Sequence, residues 1–373
     1  MIPVMKPWLG KEEAEAAAEA VASGWVAQGP RVREFEEAFA AAIGAPHAVA
    51  VSSCTTALHL TLIAAGIGPG DEVIVPSLSF IATANAVRYA GAQPVFSDVD
   101  LATQNLTPAT VQPHLTARTR AVILVDQAGV PADLDSMRAL CDPLHITVVE
   151  DAACAAGSTY LARPVGAGAE LAAFSFHPRK LLTTGEGGMV TTRDASAAAR
   201  LRRLREHGMD VSAADRHRSQ QPVIEQYVEL GFNFRMTDIQ AAVGLVQLRK
   251  LPEQVARRRA LAMRYQGLLA DITGLVTAHD PDYGTTNYQS FWVLLPEDFP
   301  IGRDELLRRL ADTGISARRG IMAAHLEPAY AECNTLSLPV TDRLTKHSVI
   351  LPLFHDMTDA EQERVASVLI KAR

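Results

Sequence analysis

Apolar positions alternate along the first half of the chain between two rhythms. Short apolar runs that end at a serine, proline or carboxylate read as buried strands: His47–Ser52, Asp71–Val75, Gln93–Ser97, Ala121–Val125 and Ile146–Val149. Helix-length stretches lie between them. Ala57–Ala65 is one, and a second is capped by Ser79 and runs to about Tyr89, with Phe80 in its first turn. A third opens at Thr107-Pro108, and a fourth is Ala132–Cys141. Upstream, Lys11–Ser23 is rich in alanine and glutamate, and Phe35, Phe39 and Ile43 share one face of a helix over Arg31–Ile43. Strand–helix alternation of this kind predicts an open, mostly parallel sheet between helices. Ligands of such sheets bind beyond the carboxyl ends of the strands.

Further on, Leu171–Ser175 and Gly188–Thr192 read as strands paired across a turn, and Asp194–His207 reads as a helix. Gln220–Glu229 has no readable period. Gly231–Met236 leads into a helix capped by Thr237 or Asp238. Leu251–Ile272 reads as a separate arginine-rich helix that bridges to a second unit. From Gly274 the pattern changes: Ser290–Leu295 and Val349–Leu351 are strands, Arg303–Ala311 is a helix, and Thr358–Glu361 is a capping box. The expectation is a large α/β domain over 1–250 and a small α+β domain over 251–373.

Composition narrows the class. The 373 residues are 48% hydrophobic and 21% charged with a net charge of −7, which suits a soluble enzyme and argues against nucleic acid as the partner. Four cysteines without CxxC spacing suggest neither disulfides nor a metal, and so a reduced, cytoplasmic protein. The first residues lack the apolar core of a secretion signal, and no apolar run reaches the roughly 20 residues that span a bilayer.

The chemistry points to FSFHPRKLLTTGEGGMVTT, residues 174–192. Lys180 stands between a buried strand and a glycine-rich turn, where desolvation lowers an amine's pKa and frees its lone pair. Ser175 and His177 share one strand face; a solvated basic turn at His177–Lys180 fits the same residues. Val148–Asp151 is a buried strand that ends in a carboxylate. A lysine for an aldehyde and an acid for a ring nitrogen are what pyridoxal phosphate requires. Ser53-Cys54-Thr55-Thr56 opens a helix whose free N–H groups suit a phosphate, although plain capping explains the hydroxyls equally well.

With these segments in order, the chain resembles the DegT/DnrJ/EryC1/StrS family of pyridoxal-phosphate sugar aminotransferases. The resemblance runs from GWVAQGPRVREFEEAFA through GIGPGDEVIVPSLSFIATANAV, VEDAACAAGS and LGFNFRMTDIQAAVGL to LPLFHDMTDAEQ. It implies the type I transferase fold, with a seven-stranded-type sheet in the large domain. It also implies that Lys180 is the catalytic lysine, holding the cofactor as a Schiff base, and that Asp151 meets the pyridine nitrogen. Phe80 would stack on the ring. Thr55, Thr56 and Ser175 would bind the phosphate, and Asn233 would reach the phosphate of a neighbouring subunit in a homodimer with shared sites. His177, Arg319 and His325 are the residues expected at the substrate. Two departures stand out: Cys54 occupies a position that is usually glycine, and Cys154 one that is usually a glutamine near the cofactor's phenolic oxygen. Asp126-Gln127 likewise stands where many relatives carry His-Leu-Tyr. The implied reaction moves an amine from L-glutamate or L-glutamine to a keto sugar, most often a nucleotide-linked 4-keto-6-deoxy sugar, in amino-sugar biosynthesis. Cyclitol amination, sugar dehydration and a non-catalytic regulator are the alternatives; dehydratases of the family typically carry histidine in place of Lys180.

Overall fold

Each apolar run becomes a strand. In the computed structural model, which describes residues 1–212, 216, 221–333 and 336–373, the first five are β1 (His47–Val51), β2 (Glu72–Pro76), β3 (Gln93–Ser97), β4 (Thr119–Val125) and β5 (Thr147–Asp151). A small pair follows, β6 (Thr159–Tyr160) and β7 (Arg163–Pro164), and then β8 (Leu171–Ser175) and β9 (Gly188–Thr192). The large sheet has seven strands in the order β1-β9-β8-β5-β4-β2-β3. All run in one direction except β9, which is antiparallel to both neighbours. Its strands are apolar on both faces because both faces are covered. Leu124, Val148 and Phe174 belong to one packed layer, and Val125, Val149 and Ala173 to the other.

A four-stranded sheet follows in sequence: β10 (Val276–Thr277), β12 (Phe291–Leu294), β13 (Arg318–Arg319) and β14 (Ser348–Leu351), in the order β10-β12-β14-β13. β11 (Gly284–Thr285) joins β6 and β7 instead. Under the small sheet Tyr265 stacks on Phe291, with ring centroids 5.0 Å apart.

Two elements depart from the expected pattern. The long helix does not begin at Leu251. It spans Asp238–Leu269 in one piece, is capped by Thr237 and carries Pro252 inside it. A proline there removes one helical hydrogen bond, but buried residues on either side, Leu251 and Gln254 among them, pack the helix through that position. The second departure is at Ser79. The helix after β2 starts at Ala82, so Phe80 precedes it. Residues 77–80 are held instead by the segment after β13: Ser79 N–H donates to Met322 O at 3.2 Å, and Leu78 bridges Ala323. A tertiary contact has displaced the local cap. Of the stretch Gln220–Glu229, Gln220 lies outside the described residues and the remainder forms neither helix nor ladder.

Candidate active site

The lysine turn connects β8 to β9, so both its arms are anchored in the large sheet. Lys180 N–H donates to His177 O at 2.8 Å, and Thr183 Oγ1 donates to Phe176 O at 2.9 Å. Gln289, in the segment before β12, clamps the turn: its Nε2 donates to Arg179 O at 2.6 Å and its Oε1 accepts from Leu181 N–H at 3.1 Å. The Lys180 side chain points to the turn after β5, where Nζ donates to Cys154 Sγ at 3.1 Å. That second turn is also held from the small-sheet side, because Asn287 Nδ2 donates to Cys154 O and Ala156 O, both at 2.8 Å. Burial works to lower the Lys180 pKa, but Cys154, Cys54 and Asp151 outweigh it and leave it raised. This reverses the direction expected from desolvation alone, because the anionic and thiol neighbours come from elsewhere in the chain.

Asp151 closes β5 and is buried. Thr83 Oγ1 donates to one carboxyl oxygen at 2.9 Å and Ala153 N–H to the other at 3.2 Å. Burial raises the carboxyl's pKa; the bonds from Thr83 and Ala153 and the charge of Lys180 counter it in part. A cationic ring N–H is the kind of partner such an acid favours.

The helix Cys54–Ala64 begins just after β1, with Ser53 as its N-cap. The Thr56 hydroxyl is spent on that cap, accepting from Ser53 N–H at 3.1 Å and donating to Ser53 O at 2.7 Å. The half-buried Thr55 makes no side-chain bond among the described residues. Cys54 has no positive φ, so the residue in the glycine position sits in ordinary helical backbone. Ser175 faces Gly188 across the β8–β9 ladder. A Cβ on Gly188 would stand 2.5 Å from the Ser53 carbonyl, so this glycine is what lets the ladder approach the helix start. The helix start, with Thr55, thus lies beside the end of the β8–β9 ladder that carries Ser175, and Cys54 in its first turn is close enough to Asp151 and Lys180 for their charges to act on it.

The remaining expected residues are dispersed. Phe80 is 64% exposed, before the helix that follows β2. Asn233 is exposed on the loop before the long helix. His177 is half-buried; burial, Arg179, Lys180 and Arg318 together lower its pKa against the raising effect of Glu186, 3.9 Å away. His325 does not line a loop. It is enclosed completely, with Nδ1 on the Ser77 hydroxyl, because the segment after β13 folds down onto the end of β2. Arg319 turns away to Glu327 at 3.3 Å. Alternation on β13 puts its neighbour Arg318 on the other face, close enough to Arg179 that the two charges act on each other. Neither Arg179 nor Arg318 forms an ion pair among the described residues. Thr83, Asn287 and Gln289 are the neighbours of the site that sequence reasoning missed. Thr83 alone left a trace, as a hydroxyl in the first turn of a helix beside a carboxylate strand end.

Lys180 after β8, Asp151 at the end of β5 and the helix start after β1 all lie at the carboxyl end of the large sheet; pyridoxal phosphate calls for an amine and an acid, and its phosphate suits a helix start. Comparison with known proteins agrees. Residues 7–370 match the model of the DegT/DnrJ/EryC1/StrS aminotransferase family. The aminotransferase TlmJ from Streptoalloteichus hindustanus is 37% identical, with a TM-score of 0.91 over 100% of this chain and 98% of that one. PseC of Helicobacter pylori, an aminotransferase involved in the biosynthesis of pseudoaminic acid, is 28% identical with a TM-score of 0.92 over 100% and 98%. Spr1654 of Streptococcus pneumoniae, solved in its PLP-form, is 26% identical with a TM-score of 0.90 over 100% and 99%. The chain therefore belongs to the DegT/DnrJ/EryC1/StrS aminotransferase family and is a pyridoxal-phosphate-dependent aminotransferase of fold type I.

Proposed function

We propose that the enzyme transfers the amino group of L-glutamate or L-glutamine to a keto sugar carried on a nucleotide, in amino-sugar biosynthesis. The observation that carries this reading is the cationic group around His177: Arg179, Lys180 and Arg318 all act on its imidazole, and neither arginine has an ion-pair partner among the described residues. A donor carboxylate and a sugar diphosphate are the anions that arginines hold best. In this reading Lys180 anchors the cofactor through Nζ, and once released it carries the proton to and from the substrate carbon. Asp151, held by Thr83, keeps the ring nitrogen protonated. Thr55, Ser175 and the N–H groups of the Cys54–Ala64 helix hold the phosphate, and Phe80 flanks the ring. When bound, the cofactor supplies an electron sink for negative charge at that carbon.

The second half of the proposal is a homodimer. Ile224 is 89% exposed, Leu230 87% and Tyr227 63%, all on the loop that leads to Asn233. An apolar surface of this kind is rarely left bare, and a second copy covering it would bring Asn233 to the partner's phosphate cradle.

The test is the absorbance of the cofactor-loaded enzyme. Its yellow band should bleach on L-glutamate or L-glutamine, and the colour should return with a nucleotide-linked keto sugar. Lys180→Ala should abolish turnover while the fold persists. A band that neither donor bleaches would overturn the transfer reaction, and colour restored only by a cyclitol ketone would overturn the sugar.

A further inference from the structure

One pair of buried acids plays no part in the chemistry above. Asp126 follows β4 directly, and Glu150 is the penultimate residue of β5. In the parallel register Leu124 faces Glu150 and Val125 faces Asp151. Asp126, two residues beyond Leu124, therefore points to the same side of the sheet as Glu150, opposite to Asp151. Both are enclosed, at 0% and 1% exposure. Asp126 Oδ1 accepts from Ala132 N–H at 2.8 Å, and Glu150 is bonded by the N–H of Gly166. The other oxygen of each, Asp126 Oδ2 and Glu150 Oε2, has no partner among the described residues. Asp151, Cys154 and Tyr283 are the other titratable groups that feel Asp126, and none of them is a cation.

We propose that Asp126 and Glu150 share one proton between these two oxygens, and that this bond pins the ends of β4 and β5 so that Asp151 is held at the cofactor. Two adjacent buried carboxyls cannot both ionise cheaply, and a single proton supplies the donor that both lone oxygens lack. The link to Asp151 is covalent on one side, since Glu150 precedes it. On the other side it is a hydrogen bond, Asp126 N–H donating to Asp151 O at 3.1 Å. Asp126 and Glu150 are thus positioning residues that act through the backbone of Asp151.

Burial raises both acids above the usual carboxylate range, Glu150 to about 7, and Asp126 is pushed further by Glu150. A folded-state pKa above the unfolded value stabilises the protein at low pH, and that stability is lost as pH rises through the folded value. Glu150 is the first of the two to ionise, so one shared proton remains above about 7, and the bond should fail only further to the alkaline side, when Asp126 also ionises.

The experiment uses the cofactor-loaded enzyme and three forms: wild type, Asp126→Asn and Glu150→Gln. An amide in either position is a donor that pH cannot remove. Infrared spectra at neutral pH should show a buried carboxylic acid band in wild type that is lost in both variants. As pH rises through the alkaline range the wild type should lose thermal stability and release cofactor, and the variants should do so less. If one variant fails to fold, the other and the wild-type infrared band decide. Absence of that band in wild type, or alkaline losses equal in all three forms, would overturn the proposal. Neither readout depends on which donor or acceptor the enzyme uses.

Discussion

At the scale of single residues, the site shows which chemistry announces itself in sequence. Lys180 and Asp151 are legible because a buried amine and a buried acid are costly without a purpose. Thr83 and Gln289 are not, because their importance arises only when residues 68 and 108 positions apart meet. Between Arg318 and Arg319 the sequence offered no choice; one position of strand alternation separates a charge that acts on His177 from one spent on Glu327. His325 shows the same limit, since a loop histidine and an enclosed one look alike until the loop is seen to fold onto β2. Thr83→Val should leave Asp151 Oδ2 without its donor and cost about 1–3 kcal/mol. Dialysis should then strip cofactor faster from Thr83→Val than from wild type, with Thr83→Ser close to normal; equal retention in all three would refute a role for this bond.

At the scale of elements, hydrophobic rhythm identified the strands of the large sheet, and the errors fell where distant segments intervene. Ser79 lost its helix to the contact with Met322. The long helix, expected to start anew at Leu251, runs unbroken from Asp238 through Pro252, because packing on both sides overrides the proline. The start of that helix has a second task. The Asp238 carboxylate accepts from the backbone N–H groups of Gly29, Arg31 and Val32, at 2.7, 3.0 and 3.0 Å, and so caps the helix Pro30–Ile43 from outside. A carboxylate at a helix N-terminus is favoured both by the free donors and by the helix dipole. Asp238→Ala should lower stability by roughly 1–3 kcal/mol, read from the urea midpoint, because buried donors lose their acceptor. Asp238→Asn, which keeps one acceptor oxygen, should fall between.

At the scale of the whole molecule, no described helix is long and apolar enough to cross a membrane, and the described residues hold no cluster of metal ligands. What the molecule does display is the apolar loop before the long helix. If a second copy covers it, Leu230→Asp and Ile224→Asp should shift sedimentation towards a monomer and weaken cofactor retention together, since Asn233 would lose its place in the partner's site. A variant that stays dimeric with normal retention would exclude this loop from the interface. The clamp on the lysine turn also bears on how the protein is made. Chains emerge from the ribosome amino end first, so the large sheet and Lys180 are complete well before Gln289 and Asn287 exist to hold the two turns around the amine. Cofactor capture then waits on the last third of the chain, and a truncated product carries the lysine without the means to use it.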